Sequence, residues 1–143
     1  MFIGTLQVAL IVIVAVFLFD VSVKGQISKI MFAALSAASL SSALALLISC
    51  LCTSSAQMNT ISTFVVLLCS AIGGSMVPRF MMPDWLQNIA QFTPNYWAIE
   101  GFYGILARRQ NLFDLLDVWQ VLWSVSFIAL ILTIFISHRM RRL

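Results

Sequence analysis

The segment GGSMVPRFMMPDWLQNIAQFTPNYW, which runs from Gly73 to Trp97, contains every proline of the chain. These prolines, at positions 78, 83 and 94, are mixed with tryptophan, amide and charged side chains, whereas the flanking sequence is almost wholly apolar. Glycine loosens a helix, and proline cannot continue the helical hydrogen-bond ladder. We therefore expect Gly73, Gly74 and Pro78 to end one apolar helix, and the residues that follow to form shorter helices.

The composition of the 143-residue chain is that of an integral membrane protein. Hydrophobic residues make up 62% of it, charged residues make up 9%, and the mean hydropathy is +1.03. A soluble domain is nearer half apolar and a quarter charged. Strand-type alternation of polar and apolar residues is absent, which predicts an all-α protein in the lipid bilayer. The net charge of +3 comes without a basic stripe that carries interleaved aromatics, so no nucleic-acid partner is expected.

Four stretches have the length of a membrane-spanning helix, about 20 mostly apolar residues. They cover approximately residues 2–19, 30–52, 61–77 and 118–137, and they predict a single transmembrane domain over residues 1–143. Asp20 to Lys29 would form a polar connection between the first two spans. Thr53 to Thr60 would form an uncharged polar turn between the second and the third.

The second span carries a pattern of small residues that predicts close helix packing. Small residues recur every four positions on two faces of this span: Ala34, Ala38 and Ser42 on one, and Ala37, Ser41 and Ala45 on the other. Such residues let helix backbones approach closely. Inside a bilayer the hydrophobic effect does not drive helices together, so dispersion forces and interhelical hydrogen bonds stabilise their contact instead. We expect this helix to be central in the domain. A serine-lined path for a substrate is the alternative interpretation.

Two short helices are predicted after the break. Residues 83–92 have an amphipathic pattern, and a helix of that length is about 15 Å long, which is too short to cross the bilayer. We expect it to lie flat at the membrane surface, with Trp85 at the depth of the lipid headgroups. Residues 94–107 would begin with Thr93 as N-cap and Pro94 at the first helical position. Their nearly continuous apolar sequence predicts a half-buried or re-entrant helix.

Glu100, in the middle of the second short helix, is the ionisable residue that stands out. A carboxylate that faces lipid is costly, so Glu100 should face protein or water. With Tyr96 and Trp97 it is a candidate for an outer gate or for the wall of a translocation path. The alternative is a structural carboxylate that pairs with a neighbouring arginine.

No catalytic, cofactor-binding or metal site is expected in this chain. The phosphate-binding pattern G-x-x-x-x-G-K-[ST] does not occur, and the only lysines are Lys24 and Lys29. His138 and the cysteines lack the spacing of a metal site, and no nucleophile has a recognisable base. Any ATP hydrolysis would take place on a partner subunit.

The order of these elements resembles the permease (transmembrane) subunit of type 2 ATP-binding-cassette (ABC) exporters over nearly the whole chain. The last span and its basic tail HRMRRL complete the resemblance. The residues that carry it are the glycine pair, the three prolines and the aromatic residues near them: Gly73, Gly74, Pro78, Met82-Pro83, Trp85-Leu86, Thr93-Pro94 and Tyr96-Trp97.

The resemblance implies a fold and a set of partners. Permeases of this family have six spans, cytoplasmic termini and a pair of short external helices before the last span. The four spans of this chain would be the third to the sixth, and the external pair would be residues 83–92 and 94–107. A second permease copy, identical or different, and separate ABC ATPase subunits would complete the exporter. The short helices would help to close its outer mouth.

The resemblance also implies a location, the plasma membrane (the bacterial inner membrane), crossed several times with the C-terminus in the cytoplasm. The three arginines of the tail favour the same orientation. Five basic residues, including Lys24 and Lys29, would then lie on the opposite side, so charge counting alone does not decide it.

The N-terminal half of the family permeases has no counterpart here. That half holds an interfacial helix, two spans and the coupling helix that docks on the ATPase. We expect the chain to be the C-terminal portion of a longer permease; a half-sized protein completed by another chain is the alternative. The expected function is the membrane-spanning part of an ATP-driven exporter. A non-transport scaffold or assembly protein of the same fold would have no ATPase partner, and an intramembrane enzyme would need a catalytic constellation.

Overall fold

The computed structural model describes residues 6, 7, 10, 26–77 and 81–140. Every regular element in these residues is helical: α1, Ile27–Leu51; α2, Ser55–Ile72; α3, Asp84–Ala90; α4, Pro94–Leu106; and α5, Leu116–Met140, which follows a 3-10 turn at Leu112–Leu115. The first predicted span, 2–19, lies outside the described residues except for Leu6, Gln7 and Leu10, which are helical and exposed.

Three segments of the described chain are long and apolar enough to cross a membrane: Ile27–Leu51, Ser55–Ile72 and Leu112–Arg139. The second of them begins within the polar turn that was predicted for Thr53 to Thr60. The reason is local capping: Ser54 Oγ accepts a hydrogen bond from Gln57 N, and Gln57 Oε1 accepts one from Thr53 N. The residue types that cap a helix are also those that favour turns, and for this reason the sequence predicted a turn where the helix begins.

Helices α1 and α5 run parallel to each other and form the centre of the domain. At the end where both begin, Lys29 Nζ donates a hydrogen bond to Asn111 Oδ1 at 2.8 Å. At the other end, Cys50 Sγ donates to the carbonyl oxygen of Thr133 at 3.8 Å. Helix α2 connects to α1 through the short turn at residues 52–54, and it therefore returns toward the end where α1 begins.

The buried core joins α1, α4 and α5. Small side chains on α1 allow this close approach, and Ala34 and Ala38 are both buried, which confirms the packing prediction for one face of the helix. The core residues come from three helices and the 3-10 turn: Ile30, Ala33, Leu40, Ile105, Leu115, Val118, Trp119 and Leu122.

The serines of α1 support packing rather than a polar path. Ser36, Ser39, Ser41 and Ser42 each donate a hydrogen bond to a carbonyl oxygen three or four residues earlier in the same helix. Such bonds use the one proton of each hydroxyl inside the helix, so that these serines can pack in apolar surroundings without an unsatisfied donor. The small residues thus serve mainly to bring the helices together.

Helix α2 has no buried residue, although it has the length of a span. It borders α1 across a cleft lined by Ser62, Val65 and Cys69 on the α2 side. Bulky apolar side chains, among them Phe64 and Leu67, are exposed on the remainder of its surface. Lipid or another protein surface must cover these side chains in a membrane.

Candidate functional site

The glycine pair ends α2, as the sequence predicted, but it does so at Ile72 and not at the predicted span end of residue 77. The helix stops at Ile72, and Gly73 is its C-cap, with its N–H donating to Cys69 O. Gly74 follows with a φ of 95°, in the left-handed region that glycine tolerates best. Pro78, the third residue of the predicted break, lies outside the described residues.

Gly73 also lets the start of α4 approach the end of α2. A Cβ atom at this position would lie 2.8 Å from Asn95 Cβ and 2.8 Å from Thr93 Oγ1. Asn95 Nδ2 donates a hydrogen bond to Ser75 Oγ across the same contact. Because Gly73 has no side chain, the C-terminal end of α2 can pack directly on the N-terminal end of α4.

The start of α4 confirms the predicted cap. Thr93 is the N-cap, Pro94 occupies the first helical turn, and Thr93 Oγ1 accepts a hydrogen bond from Tyr96 N. The same hydroxyl donates to Ala90 O at 2.7 Å. Thr93 thus ties the end of α3 to the start of α4.

The turn between α3 and α4, residues 91–93, is called the tip below. Its backbone groups bond within the helix pair: Phe92 N donates to Ile89 O, Thr93 N donates to Ala90 O, and the indole of Trp97 donates to Gln91 O at 2.8 Å. Irregular backbone at membrane depth is tolerated only where its polar groups have partners. The hydrogen bonds of the tip come from α3 and α4 themselves, so the helix pair largely meets this condition without the rest of the domain.

The tip lies beside the middle of α1. It forms a groove with Leu40 on α1 and with Val121, Leu122 and Val125 on α5. Leu40 stands 13 residues after Ile27 and 11 before Leu51, which is about 20 Å and about 17 Å along the helix. The tip is therefore near the midpoint of the spanning helix rather than at either end.

Helix α4 runs from the tip back to the end of the domain where α1 begins. Gln110 N donates to Gly104 O, and Gln110 O accepts a long hydrogen bond from Lys29 Nζ at 3.4 Å. Thirteen residues of α4 rise about 20 Å, the same length that separates Leu40 from the start of α1. This path, from the middle of α1 to the end where α1 begins, is the one that the re-entrant interpretation of residues 94–107 predicts, and α3–α4 are called the re-entrant pair below. The depth of this pair in a membrane stays a prediction.

The surface position predicted for residues 83–92 stays a prediction. Helix α3 covers Asp84–Ala90, and Ala90 is fully buried next to the tip, so the helix leads into the bundle. Trp85 is exposed, as a headgroup-facing residue would be. The N-cap is Pro83, and Asp84 lies in the first turn without a side-chain capping bond. The amphipathic pattern of residues 83–92 does not indicate that the C-terminal end of this helix is buried in the bundle.

The three gate candidates lie on the part of α4 nearest the tip. Tyr96 is buried, Trp97 is half-buried, and their rings meet edge to face with centroids 5.2 Å apart. One turn further on, Glu100 accepts a hydrogen bond from Arg108 at 2.6 Å. Glu100 is 16% exposed and Arg108 45% exposed. The geometry favours the paired, structural interpretation of Glu100.

Several residues at the site were not found from the sequence. Gly101 lies against the ring of Trp119, whose carbons would be 3.1 Å from a Cβ at that position. Asn111 accepts from Lys29 and, with Asp114, forms a capping box at the 3-10 turn. The spacing of Asn111 and Asp114 is a signal for that box that the sequence does contain.

The described chain thus has three helices that are long and apolar enough to span a membrane, with the short helix pair α3–α4 before the last of them. The family model described as ABC-2 type transporter matches residues 1–107 of the 143, and the chain belongs to this family. It is therefore an integral membrane protein with the permease domain of an ABC transporter. No curated protein and no solved structure matches the chain significantly.

A double-mutant cycle should separate the two interpretations of Glu100. We expect Glu100→Gln and Arg108→Gln to be coupled by about 0.5–1 kcal/mol in the free energy of unfolding, because Arg108 is nearly half exposed and water screens the pair. Arg109→Gln, at an exposed neighbouring position, is the control and should show no coupling to Glu100→Gln. Zero coupling in the first cycle would show that the observed ion pair contributes nothing, and Glu100 would return as a gate candidate.

Proposed function

We propose that this chain is the membrane-spanning permease part of an ATP-driven ABC exporter. It forms the translocation path with a second permease copy and is driven by separate ATPase subunits. The observation that carries the proposal is the position of the tip between α3 and α4, which lies beside the middle of α1. A short helix pair that extends from one end of the domain to the middle of a spanning helix has the position that a gate on that side requires.

The exposed surface of α2 supports the second permease copy. Helix α2 lies next to the tip, since Gly73 contacts Thr93 and Asn95. Its bulky apolar side chains have no cover from the described part of the chain. Phe92, at the tip itself, is 90% exposed. A second copy placed against this side would bury α2 and enclose a path between two tips.

The family pattern supports the orientation. In the proposed arrangement the start of α1, the pair α3–α4 and the loop at residues 107–111 face the outside. The turn between α1 and α2 and the end of α5 face the cytoplasm. The cytoplasmic end then carries the three arginines of the tail, but five basic residues lie on the opposite side, so the family pattern and not the charge count carries the orientation.

Thiol labelling in intact cells tests both the orientation and the gate. Asn88 on α3 and Asn59 near the start of α2 are exposed, and each is replaced by cysteine in a chain whose three native cysteines are replaced by alanine. An impermeant thiol reagent added outside should label N88C and leave N59C unlabelled until the membrane is permeabilised.

The rate of N88C labelling should also change when cellular ATP is depleted, because the short helices are expected to move as the outer mouth opens and closes. Permeabilised cells, in which both cysteines react, serve as the control for intrinsic reactivity. Labelling of N59C alone would overturn the orientation. Labelling of N88C at one rate whatever the ATP level would count against a gate and in favour of a non-transport scaffold.

A further inference from the structure

The end of α5 carries basic side chains that have no acidic neighbour in the described part of the chain. His138 and Arg139 lie in the last turn of the helix and are exposed, and Arg141 and Arg142 follow in the sequence. At the same end of the bundle, the segment from Ser49 to Thr60 contains no charged residue. Cationic groups at this end must therefore find their counter-ions outside the described chain.

The acidic residues of the described chain all lie toward the opposite end. Asp84 and Glu100 belong to the re-entrant pair, and Asp114 and Asp117 stand at the start of the last span. Asp117 and Arg139 are 22 residues apart on one helix, which is about 33 Å. Such a separation is several times the Debye length of about 8 Å at physiological salt, so these groups do not neutralise each other.

An exposed apolar stripe on α5 is continuous with these basic groups. Ile131, Ile134 and Phe135 are exposed on α5 and line one shallow groove together with His138 and Arg139. Their spacing of three, four and seven residues places Ile131, Ile134, Phe135 and His138 on one face of the helix. The groove is thus apolar along its length and cationic at the end of the span.

We propose that this groove binds an anionic phospholipid. One acyl chain lies along Ile131, Ile134 and Phe135, and the phosphate accepts hydrogen bonds from the guanidinium of Arg139. Arginine presents parallel N–H donors in the geometry that a phosphate accepts, and His138 stands one residue away as a further donor. The arrangement matches a lipid in both respects, charge at the headgroup and apolar contact below it.

An acidic surface of a partner protein could also neutralise the arginines, but it would leave the apolar stripe unexplained. The continuity between the stripe and Arg139 favours a lipid, whose two chemical halves are joined in the same order. The partner protein becomes an outcome of the test.

Native mass spectrometry of the full chain in mild detergent tests the proposal. The protein is equilibrated with an equimolar mixture of phosphatidylglycerol and phosphatidylcholine, and the bound lipids are counted. Phosphatidylglycerol should be retained preferentially. Arg139→Gln should lower the ratio of bound phosphatidylglycerol to phosphatidylcholine about fivefold, the effect typical of one arginine near an anionic lipid surface. Arg139 is exposed, so Arg139→Gln should leave the helix content measured by circular dichroism unaltered.

The matched control is Arg109→Gln, which removes the same charge at the opposite end of the domain and should leave the ratio unchanged. Ile134→Ser should lower retention of both lipids without changing the ratio. Equal losses in the two arginine variants would mean a general charge attraction and would overturn the site. Loss of a protein subunit from the native complex in Arg139→Gln, with the lipid ratio unchanged, would assign the arginine to a protein partner instead.

Discussion

Replacing Trp119 by alanine should lower the free energy of unfolding by about 2–4 kcal/mol. This side chain of α5 is 5% exposed and belongs to the core that α5 forms with α1 and α4. Its ring packs edge to face on Phe32 with centroids 5.2 Å apart, and its Nε1 donates to Leu112 O at 2.9 Å. The alanine variant would leave a cavity and an unpaired carbonyl. Lipid tails replace part of the apolar contact in the unfolded state, so we expect less than the largest values for tryptophan in water-soluble cores.

Trp123→Ala is the matched control for this prediction. Trp123 is on the same helix, one turn later, but it is 36% exposed, and its ring only tilts against Phe127 at 6.5 Å. We expect a loss of roughly 1 kcal/mol or less. Unfolding by SDS in mixed micelles, followed by circular dichroism, measures both variants. Equal losses would contradict the assignment of Trp119 to the core, and Trp119→Phe should recover part of the difference because it restores the ring contact without the hydrogen bond.

Replacing Gly73 by leucine should lower the free energy of unfolding by about 1–3 kcal/mol. A Cβ atom there would be 2.5 Å from Cys69 O and 2.8 Å from both Asn95 Cβ and Thr93 Oγ1. Real Cβ atoms do not approach that closely, so the start of α4 must move away from α2. The cap at Thr93 would weaken with it, since Thr93 Oγ1 holds Tyr96 N.

Ala71→Leu is the control for Gly73→Leu, because Ala71 lies two residues earlier on α2 and is exposed. It adds comparable apolar volume without a clash and should change stability by less than about 0.5 kcal/mol. The same SDS titration measures both. A Gly73→Leu variant as stable as Ala71→Leu would mean that the tip does not pack on the end of α2, and the re-entrant geometry would be in doubt.

Local backbone chemistry made part of the site predictable from sequence. The end of α2 at Gly73 and the restart at Thr93–Pro94 depend on glycine, proline and a capping hydroxyl, and each acts within a few residues of its own position. Ser54 and Gln57 likewise form a capping pattern, S-x-x-Q, that would have placed the start of α2 correctly. Such features need no knowledge of the rest of the fold.

The depth of the tip and the partners of the buried side chains were not predictable in the same way. Both depend on how α1, α4 and α5 pack together. The last helix is apolar nearly all round, so no periodicity distinguishes the face with Trp119 from the face with Trp123. Nothing in the sequence therefore separates Trp119, which lies in the core, from the more exposed Trp123.

The mass and activity of the native complex test the proposed function most directly. The complex is extracted in a mild detergent from its own membrane through a tag on this chain, weighed intact, and assayed for ATP hydrolysis. An assembly that holds two permease copies and two ATPase subunits, and that hydrolyses ATP, is the predicted result. An assembly without an ATPase subunit and without ATP hydrolysis would contradict the exporter and leave a membrane scaffold of the same fold.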